Sequence, residues 1–432
     1  MAQQSLTSVA GWPALLSRGE ALVYVPQQRK LRRYLWTDPS ELRAQVVAAS
    51  GESRIRPALI GTPIASMSLA LTSRCNMRCP RCFVFPVSAN QNMSEPVVDA
   101  AIAFLGRLTK VACPSILLWG GEPTLNRTAM SAAIAASRRY LERCRIVVAT
   151  NGALDWSMIR WLAEIPEVEL QVSFEVSKEA QRGQKVLVDG RDSYRVVSET
   201  LSGLASLGKP AGLRATITEA GVPDLVSGFE RMLDQGLTRR ICVEPLHAYA
   251  GRSAKFCGER PEVSTYVQEL LRLVRTAEAQ SIEFYSQPVD VLLRPQQRGL
   301  ICVLPDGQIV STVAVVDSRH PHLHRFLMGG PREGGRALAL DDERVSQLES
   351  RFARNVAQWC SDCPAYVFCA GQQQRDLFVA DECLASFDNY RCQVQREVVG
   401  QWLEKWSDVL RQGRGQQEII LNRVMPSTVC SR

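Results

Sequence analysis

Between residues 66 and 245, short apolar runs alternate with amphipathic stretches at a regular interval. SMSLALT (66–72), SILLWG (115–120), RIVVAT (145–150), VELQVSF (168–174), LRATIT (213–218) and RRICVEP (239–245) each have the length and aliphatic content of a buried strand. Between them, 94–108, 127–144 and the stretches near 154–163, 192–207 and 223–236 read as helices, with Ser94 as N-cap of the first. Asn151-Gly152 is a turn signal that ends the third strand. Six strands alternating with helices predict a parallel α/β architecture, whose reactive groups gather at the C-terminal strand ends.

Outside this block the pattern changes. Residues 1–60 are a mixed, Arg-rich lead-in with a short strand at 20–27 and a helix at 39–49. Residues 262–280 read as a helix, and 301–316 as a hairpin turning at Asp306-Gly307. A cysteine-rich stretch, 360–392, precedes a last helix at 394–412. The divisions expected are a lead-in (1–60), the α/β unit (61–250), a helical bridge (251–299), a cysteine-rich domain (300–395) and a C-terminal helix and tail (396–432).

Composition narrows the setting. The chain has 432 residues, 46% hydrophobic and 22% charged, as folded globular proteins do. A net charge of +7 is too mild and too spread out to argue for nucleic acid, so no nucleic-acid partner is expected. The N-terminus does not read as a signal peptide and no apolar run is long enough for a membrane span, so a cytoplasmic protein without a membrane partner is expected. Fourteen cysteines in a reducing compartment then read as including metal ligands rather than a disulfide framework.

The sharpest feature is TSRCNMRCPRCF, residues 72–83, with Cys75, Cys79 and Cys82 in one short loop. Pro80 argues against a regular helix there. A structural zinc site would need a fourth ligand, whereas a catalytic zinc keeps an open position. A four-iron cluster held by three thiolates likewise leaves one iron for an external ligand.

This loop resembles the CxxxCxxC loop of radical SAM enzymes, and WGGEPTL (119–125) resembles their Gly-Gly-Glu-Pro motif one strand further on. The resemblance covers roughly 66–245 and 300–395. It implies a partial (β/α)6 radical SAM barrel with a smaller C-terminal auxiliary-cluster domain. It also implies a [4Fe-4S] cluster at Cys75, Cys79 and Cys82 whose open iron binds S-adenosylmethionine. One electron, from a donor such as a flavodoxin or ferredoxin, would cleave that cofactor to a 5′-deoxyadenosyl radical. Gly120, Gly121, Glu122 and Pro123 would face the methionine end. Asn151, Ser173 and Glu175 resemble further cofactor contacts, and Arg214 would meet the carboxylate. Two departures stand out: Arg81 where many relatives have an aromatic, and Glu175 where many have Asp.

The second cluster runs Cys360-x2-Cys363-x5-Cys369, followed by Cys383 and Cys392. Spacing alone leaves structural zinc and iron–sulfur equally open. The stretch is similar to the SPASM extension of radical SAM enzymes, which carries two auxiliary clusters. Here Gln373 and Thr312 replace two cysteines of that pattern. The similarity therefore implies one auxiliary iron–sulfur cluster, of the [4Fe-4S] type, in a twitch-like domain. Its ligands would be Cys360, Cys363, Cys369 and either Cys392 or Cys383, with Cys302 left as a free thiol.

The remaining candidates each have a plainer reading. His320, His322 and His324 alternate as strand-face ligands would, but an exposed basic loop is expected; His247 is expected to be structural. Cys242 and Cys257 are candidate hydrogen donors to a substrate radical, against the plainer role of small apolar residues. The expected function is radical modification of a ribosomally made peptide by crosslink, thioether formation or epimerisation. The alternatives are a dehydrogenase or epimerase of a sugar or aminocyclitol, and a zinc-stabilised binding module without catalysis.

Overall fold

The computed structural model describes residues 5–17, 19–25, 28, 30–51, 64–82, 91–175, 177–246, 255–256, 258–293, 301–320, 323–370, 390–412 and 418–420. The chain opens with four antiparallel strands, β1 (Ser5–Val9), β2 (Trp12–Ser17), β3 (Glu20–Val25) and β4 (Lys30–Leu35), then helix α1 (Pro39–Ser50). The first hairpin turns on Ala10 and Gly11, at φ 52° and 81°, the paired left-handed conformation of a two-residue turn. Asp38 starts α1 by accepting from the Ser40 and Glu41 amides at 2.7 and 3.4 Å.

The regular block follows: β5 (Ser66–Thr72), α2 (Glu95–Leu108), β6 (Ser115–Gly120), α3 (Arg127–Tyr140), β7 (Arg145–Thr150), α4 (Trp156–Ala163) and β8 (Val168–Ser173). It continues with α5 (Lys178–Gln184), α6 (Ser193–Ser206), β9 (Ala211–Ile217), α7 (Leu225–Asp234) and β10 (Thr238–Pro245). All six predicted strands are present and pair in parallel in chain order. After α8 (Val263–Ala279), β11 (Glu283–Tyr285) extends the parallel set beside β10. Next come α9 (Gln287–Leu293) and two short strands, β12 (Cys302–Val303), parallel to β5, and β13 (Ile309–Val310). The hairpin predicted over 301–316 is thus confined to its first ten residues, and 311–316 leave the sheet.

The strands β14 (Leu327–Arg332) and β15 (Ala337–Leu340) finish an 11-stranded sheet, ordered β11-β10-β9-β8-β7-β6-β5-β12-β13-β14-β15. Among the described residues its end strands do not pair with each other, and the arrangement is a mixed α/β fold built on a parallel sheet. The last elements are α10 (Asp342–Trp359), α11 (Tyr366–Cys369), α12 (Tyr390–Gln412) and β16 (Glu418–Ile420), which pairs with β4.

Alternation along the strands separates two faces. Ile146, Val148, Val168, Leu170, Val172, Leu213, Ile241 and Val243 enter the main core beneath the helices. The other residues of these strands form an inner face. At its N-terminal end, Arg145 pairs with Glu169 at 2.7 Å, and Arg240 pairs with Glu169 and with Glu283 at 2.7 Å. This ion-pair network ties the feet of β7, β8, β10 and β11 together.

Two local expectations are corrected. The helix predicted over 127–144 ends at Tyr140, because Leu141 is extended (φ −127°, ψ 130°). Ser94 has N-cap backbone angles, but its side chain makes no capping bond. The N-terminal sheet, unforeseen beyond 20–27, packs on the C-terminal helices. Tyr24 stacks on Phe368 at 5.7 Å, and Trp402 meets the two rings edge-on at 4.7 and 6.0 Å. Among the described residues, no helix is long and apolar enough to cross a membrane.

Candidate active site

The cysteine loop leaves the C-terminal end of β5 and is held by the ends of its neighbours. The Gly121 amide donates to Thr72 O at 2.8 Å, and the Glu122 amide to Arg74 O at 2.7 Å. Only glycine permits this approach: a Cβ at 120 would lie 2.3 Å from Thr72 O, and one at 121 would lie 2.2 Å from Arg74 O. Gly120 also sits at φ 140°. The glycines therefore dock the turn onto the loop, a role additional to the cofactor contact that the motif suggests.

Glu122 is fully buried and joins β6 to β7. Its Oε1 accepts from Thr124 Oγ1 and Thr150 Oγ1, both at 2.7 Å, and its Oε2 accepts from the Asn151 amide at 2.8 Å. Burial pushes its pKa up, and these donors offset part of the rise. Pro123 is buried in the turn that follows. Asn151 is clamped beside the thiols: its Nδ2 donates to Asn76 Oδ1 at 2.6 Å and lies 3.8 Å from Cys75 Sγ. The Met77 amide donates to the same sulfur at 3.3 Å.

A third support is a segment that motif reading missed. After α5, the Arg78 amide donates to Val186 O at 2.7 Å, and the Val188 amide to Asn76 O at 3.0 Å, bridging Met77 to Leu187. The strap brings Lys185 to the site, where its Nζ is 3.2 Å from Glu175 Oε1. Burial disfavours the ammonium, but Glu175 and then the Cys79 thiolate favour it by more, so the Lys185 pKa is raised. Glu175 is itself buried, which pushes its pKa up, and it accepts from the Thr216 amide at 2.9 Å. Its backbone amide donates to Gln181 Oε1 at 2.8 Å. Glu175 thus faces Lys185 and β9, and Ser173 lies opposite Arg214 in the β8–β9 register. Lys185 follows no motif quoted from the sequence; its one signal is its place twelve residues after Ser173.

The replaced aromatic position has a purpose of its own. Arg81 donates to Glu259 Oε2 at 2.6 Å and to Gly183 O at 3.3 Å, and lies 4.9 Å above the Phe256 ring. The third-cysteine side of the loop is thereby tied to α5 and to the segment before α8.

Cys242 is buried on the inner face beside Arg214, and burial pushes its thiol up to about 12. Cys257, Cys383, His247 and His322 lie outside the described residues. His320 is buried and His324 exposed, which corrects the expected exposed loop: a turn at Asp317 folds His320 inward.

In the C-terminal region, Cys360 ends α10 and Cys363 follows in a turn closed by its amide on Cys360 O at 3.2 Å. Cys369 ends α11, and Cys392 lies in the first turn of α12. Burial pushes Cys360 and Cys392 up to about 12, and both feel the charge of Cys363. Cys302 is fully buried among Leu304, Val310, Ala314 and Trp119, and is likewise pushed up to about 12 by burial. Among the described residues, no three His, Cys, Asp or Glu side chains converge on a single ion.

Residues 69–233 match the family model described as Radical SAM superfamily. The chain is 29% identical over 195 residues to a GTP 3′,8-cyclase of Mycobacterium ulcerans, covering 44% of this chain and 52% of that protein. It thus spans about half the length of that relative. It is 28% identical over 296 residues to a pre-heme d1 synthase of Dinoroseobacter shibae, covering 66% and 67%. The solved structure described as native anSMEcpe with bound AdoMet aligns at a TM-score of 0.61 and 15% identity, covering 80% of this chain and 98% of that one. A second structure of that protein, with AdoMet and the Cp18Cys peptide, aligns at 0.59 and 14%, covering 81% and 100%. The likeness in structure is one of fold.

The family implies S-adenosylmethionine and a [4Fe-4S] cluster. The loop fits such a cluster. It supplies three thiols that act electrostatically on one another, and two N–H groups aim at Cys75 Sγ, one of the devices that tune iron–sulfur centres.

Proposed function

We propose that the protein uses Cys75, Cys79 and Cys82 to hold a [4Fe-4S] cluster and cleaves S-adenosylmethionine to start radical chemistry on a substrate carbon. The observation that supports this most is the docking of the cysteine loop, by backbone hydrogen bonds, onto the Gly-Gly-Glu-Pro turn and the 186–188 strap. When bound and reduced, the cluster supplies the electron that yields a 5′-deoxyadenosyl radical.

The chain's residues do the rest. Gly120 and Gly121 keep the turn close to the loop, and Glu122 fixes Thr150 and Asn151. Asn151 and Ser173 offer polar contacts to the cofactor. Lys185, held by Glu175, and Arg214 supply positive charge for an anionic group. Cys242 keeps its proton at neutral pH, as a hydrogen donor would need to. Cys360, Cys363, Cys369 and Cys392 would hold one auxiliary cluster, with Cys383 as the alternative fourth ligand.

The favoured substrate is a ribosomally made peptide, because the fold extends over nearly all of a solved structure that carries AdoMet and a peptide. A small-molecule substrate is the second reading, because the curated relatives are a GTP 3′,8-cyclase and a pre-heme d1 synthase. The test is anaerobic reconstitution with iron and sulfide, followed by an assay for 5′-deoxyadenosine. A colourless protein that leaves S-adenosylmethionine intact would refute the proposal. Iron near eight per chain supports the auxiliary cluster and near four removes it, at about four irons per cluster.

A further inference from the structure

After β13 the chain crosses the inner face. Ala314, Val315 and Val316 are buried against Ala70 of β5 and Trp119 of β6, with Leu117 and Ala149 alongside. At the end of this apolar crossing stands Asp317, only 1% exposed. Its Oδ1 accepts from the Arg319 amide at 2.9 Å, while its Oδ2 is buried and meets no donor among the described residues. The adjoining polar groups are satisfied: the Ser311 amide donates to Phe326 O at 3.0 Å, and Thr312 Oγ1 accepts from the Ala314 amide at 3.1 Å.

A second acceptor sits next to it. Gln91 Nε2 reaches Ser318 Oγ at 3.5 Å, and Gln91 Oε1 is also buried without a donor among the described residues. Gln91 is bonded in both directions to Ser73, by its amide to Ser73 Oγ at 2.9 Å and by Ser73 N to its carbonyl at 3.0 Å. Ser73 is two residues before Cys75. The two oxygens, without donors among the described residues, therefore belong to segments that meet at Gln91 and Ser318, and Gln91 adjoins the cysteine loop through Ser73.

We propose that Asp317, assisted by Gln91, is the specificity determinant that receives an ammonium group of the substrate. The inference rests on the function proposed above and deepens it by naming a chemical feature of the substrate. A buried carboxyl oxygen without a donor keeps its full desolvation penalty and so destabilises a fold. Such groups are few in native proteins and persist where a bound molecule completes them. The apolar crossing beneath Asp317 strengthens any charged hydrogen bond made there. A primary ammonium brings three donors, enough for both oxygens. The chain reaches the surface directly after Asp317, at half-buried Ser318 and exposed Arg319.

An ammonium can come from a lysine side chain or from an amino sugar, and the test separates the two. The full chain, reconstituted without air and loaded with S-adenosylmethionine, is titrated calorimetrically with n-butylammonium, acetyl-Gly-Lys-Gly-amide and 2-deoxystreptamine. The norleucine tripeptide and n-butanol serve as neutral controls. The wild type binds at least one amine and neither control. Asp317→Asn weakens that binding by about tenfold or more, and Gln91→Met, which removes the companion oxygen together with the Nε2 that reaches Ser318, by about threefold. Binding of the lysine peptide alone assigns a peptide source, and binding of the aminocyclitol alone a small-molecule source. Failure of every amine to bind the wild type, or equal affinity in wild type and Gln91→Met with folded Asp317→Asn, overturns the proposal. Formation of 5′-deoxyadenosine by the wild type without any amine is scored separately, so failure of the underlying function is distinguishable from failure of this site.

Discussion

The two cysteine sets are held by different physics. Cys75, Cys79 and Cys82 lie on a loop whose backbone is bonded to the end of β6 and to the strap after α5, with Asn151 from the end of β7 beside it. Cys360, Cys363, Cys369 and Cys392 sit at helix ends, and their module leans on a ring cluster formed with the N-terminal sheet. Directional bonds fix a loop to within fractions of an ångström. Apolar contact fixes a module less tightly and tolerates repacking. On the proposed function, the first arrangement would suit a centre that must present one vacant corner to a cofactor, and the second a closed centre that only has to be retained.

The largest predicted effect breaks the comparison outright. Cys79→Ala abolishes 5′-deoxyadenosine formation. Cys363→Ala removes about half the iron, near four of eight, and leaves cofactor cleavage without substrate measurable. Equal loss of cleavage in both variants would mean that the two sets act as one centre. Next, Gly121→Ala drives a Cβ against the Arg74 carbonyl and displaces the loop. Cleavage falls about a hundredfold or more while helix content by circular dichroism stays near wild type.

The third prediction turns to the apolar side. Trp402→Ala removes the ring that meets Tyr24 and Phe368 and destabilises the protein by about 3 kcal/mol, read in urea titrations. Iron at the C-terminal set is lost before iron at the loop. The smallest effect is at Glu262, which caps α8, a helix packed on α12. Amide bonds from Thr265 and Ser264 hold its carboxyl down to about 2, from an ordinary 4.5. That contribution is fully present above pH 4.5 and is lost as the pH falls toward 2. Glu262→Ala costs about 0.5 kcal/mol at pH 7, and the difference from wild type closes over that acidic window.

The parallel strands were legible because each is an uninterrupted aliphatic run between amphipathic helices. The N-terminal sheet was not. Its first turn uses Ala10 rather than Asn or Gly in a left-handed conformation, and KLRRYL in β4 alternates too little to show one buried face. Helix α10 did carry a signal that the sequence reading passed over: Leu348, Phe352 and Val356 recur every fourth residue and form its buried stripe. Lys185 was invisible because its partners, Glu175 and the cysteine loop, reach it through the turn after α5 rather than through any local pattern. The alternating histidines misled in the opposite direction, since a turn at Asp317, not a strand, decides which of them is covered.

The salt-linked feet of β7, β8, β10 and β11 carry a consequence for traffic. Arg145, Glu169, Arg240 and Glu283 bolt that end, while the cysteine loop leaves the opposite end of the strands. On the proposed function, spent nucleoside and methionine would be released from the end that is not bolted, and turnover would follow the order in which they leave.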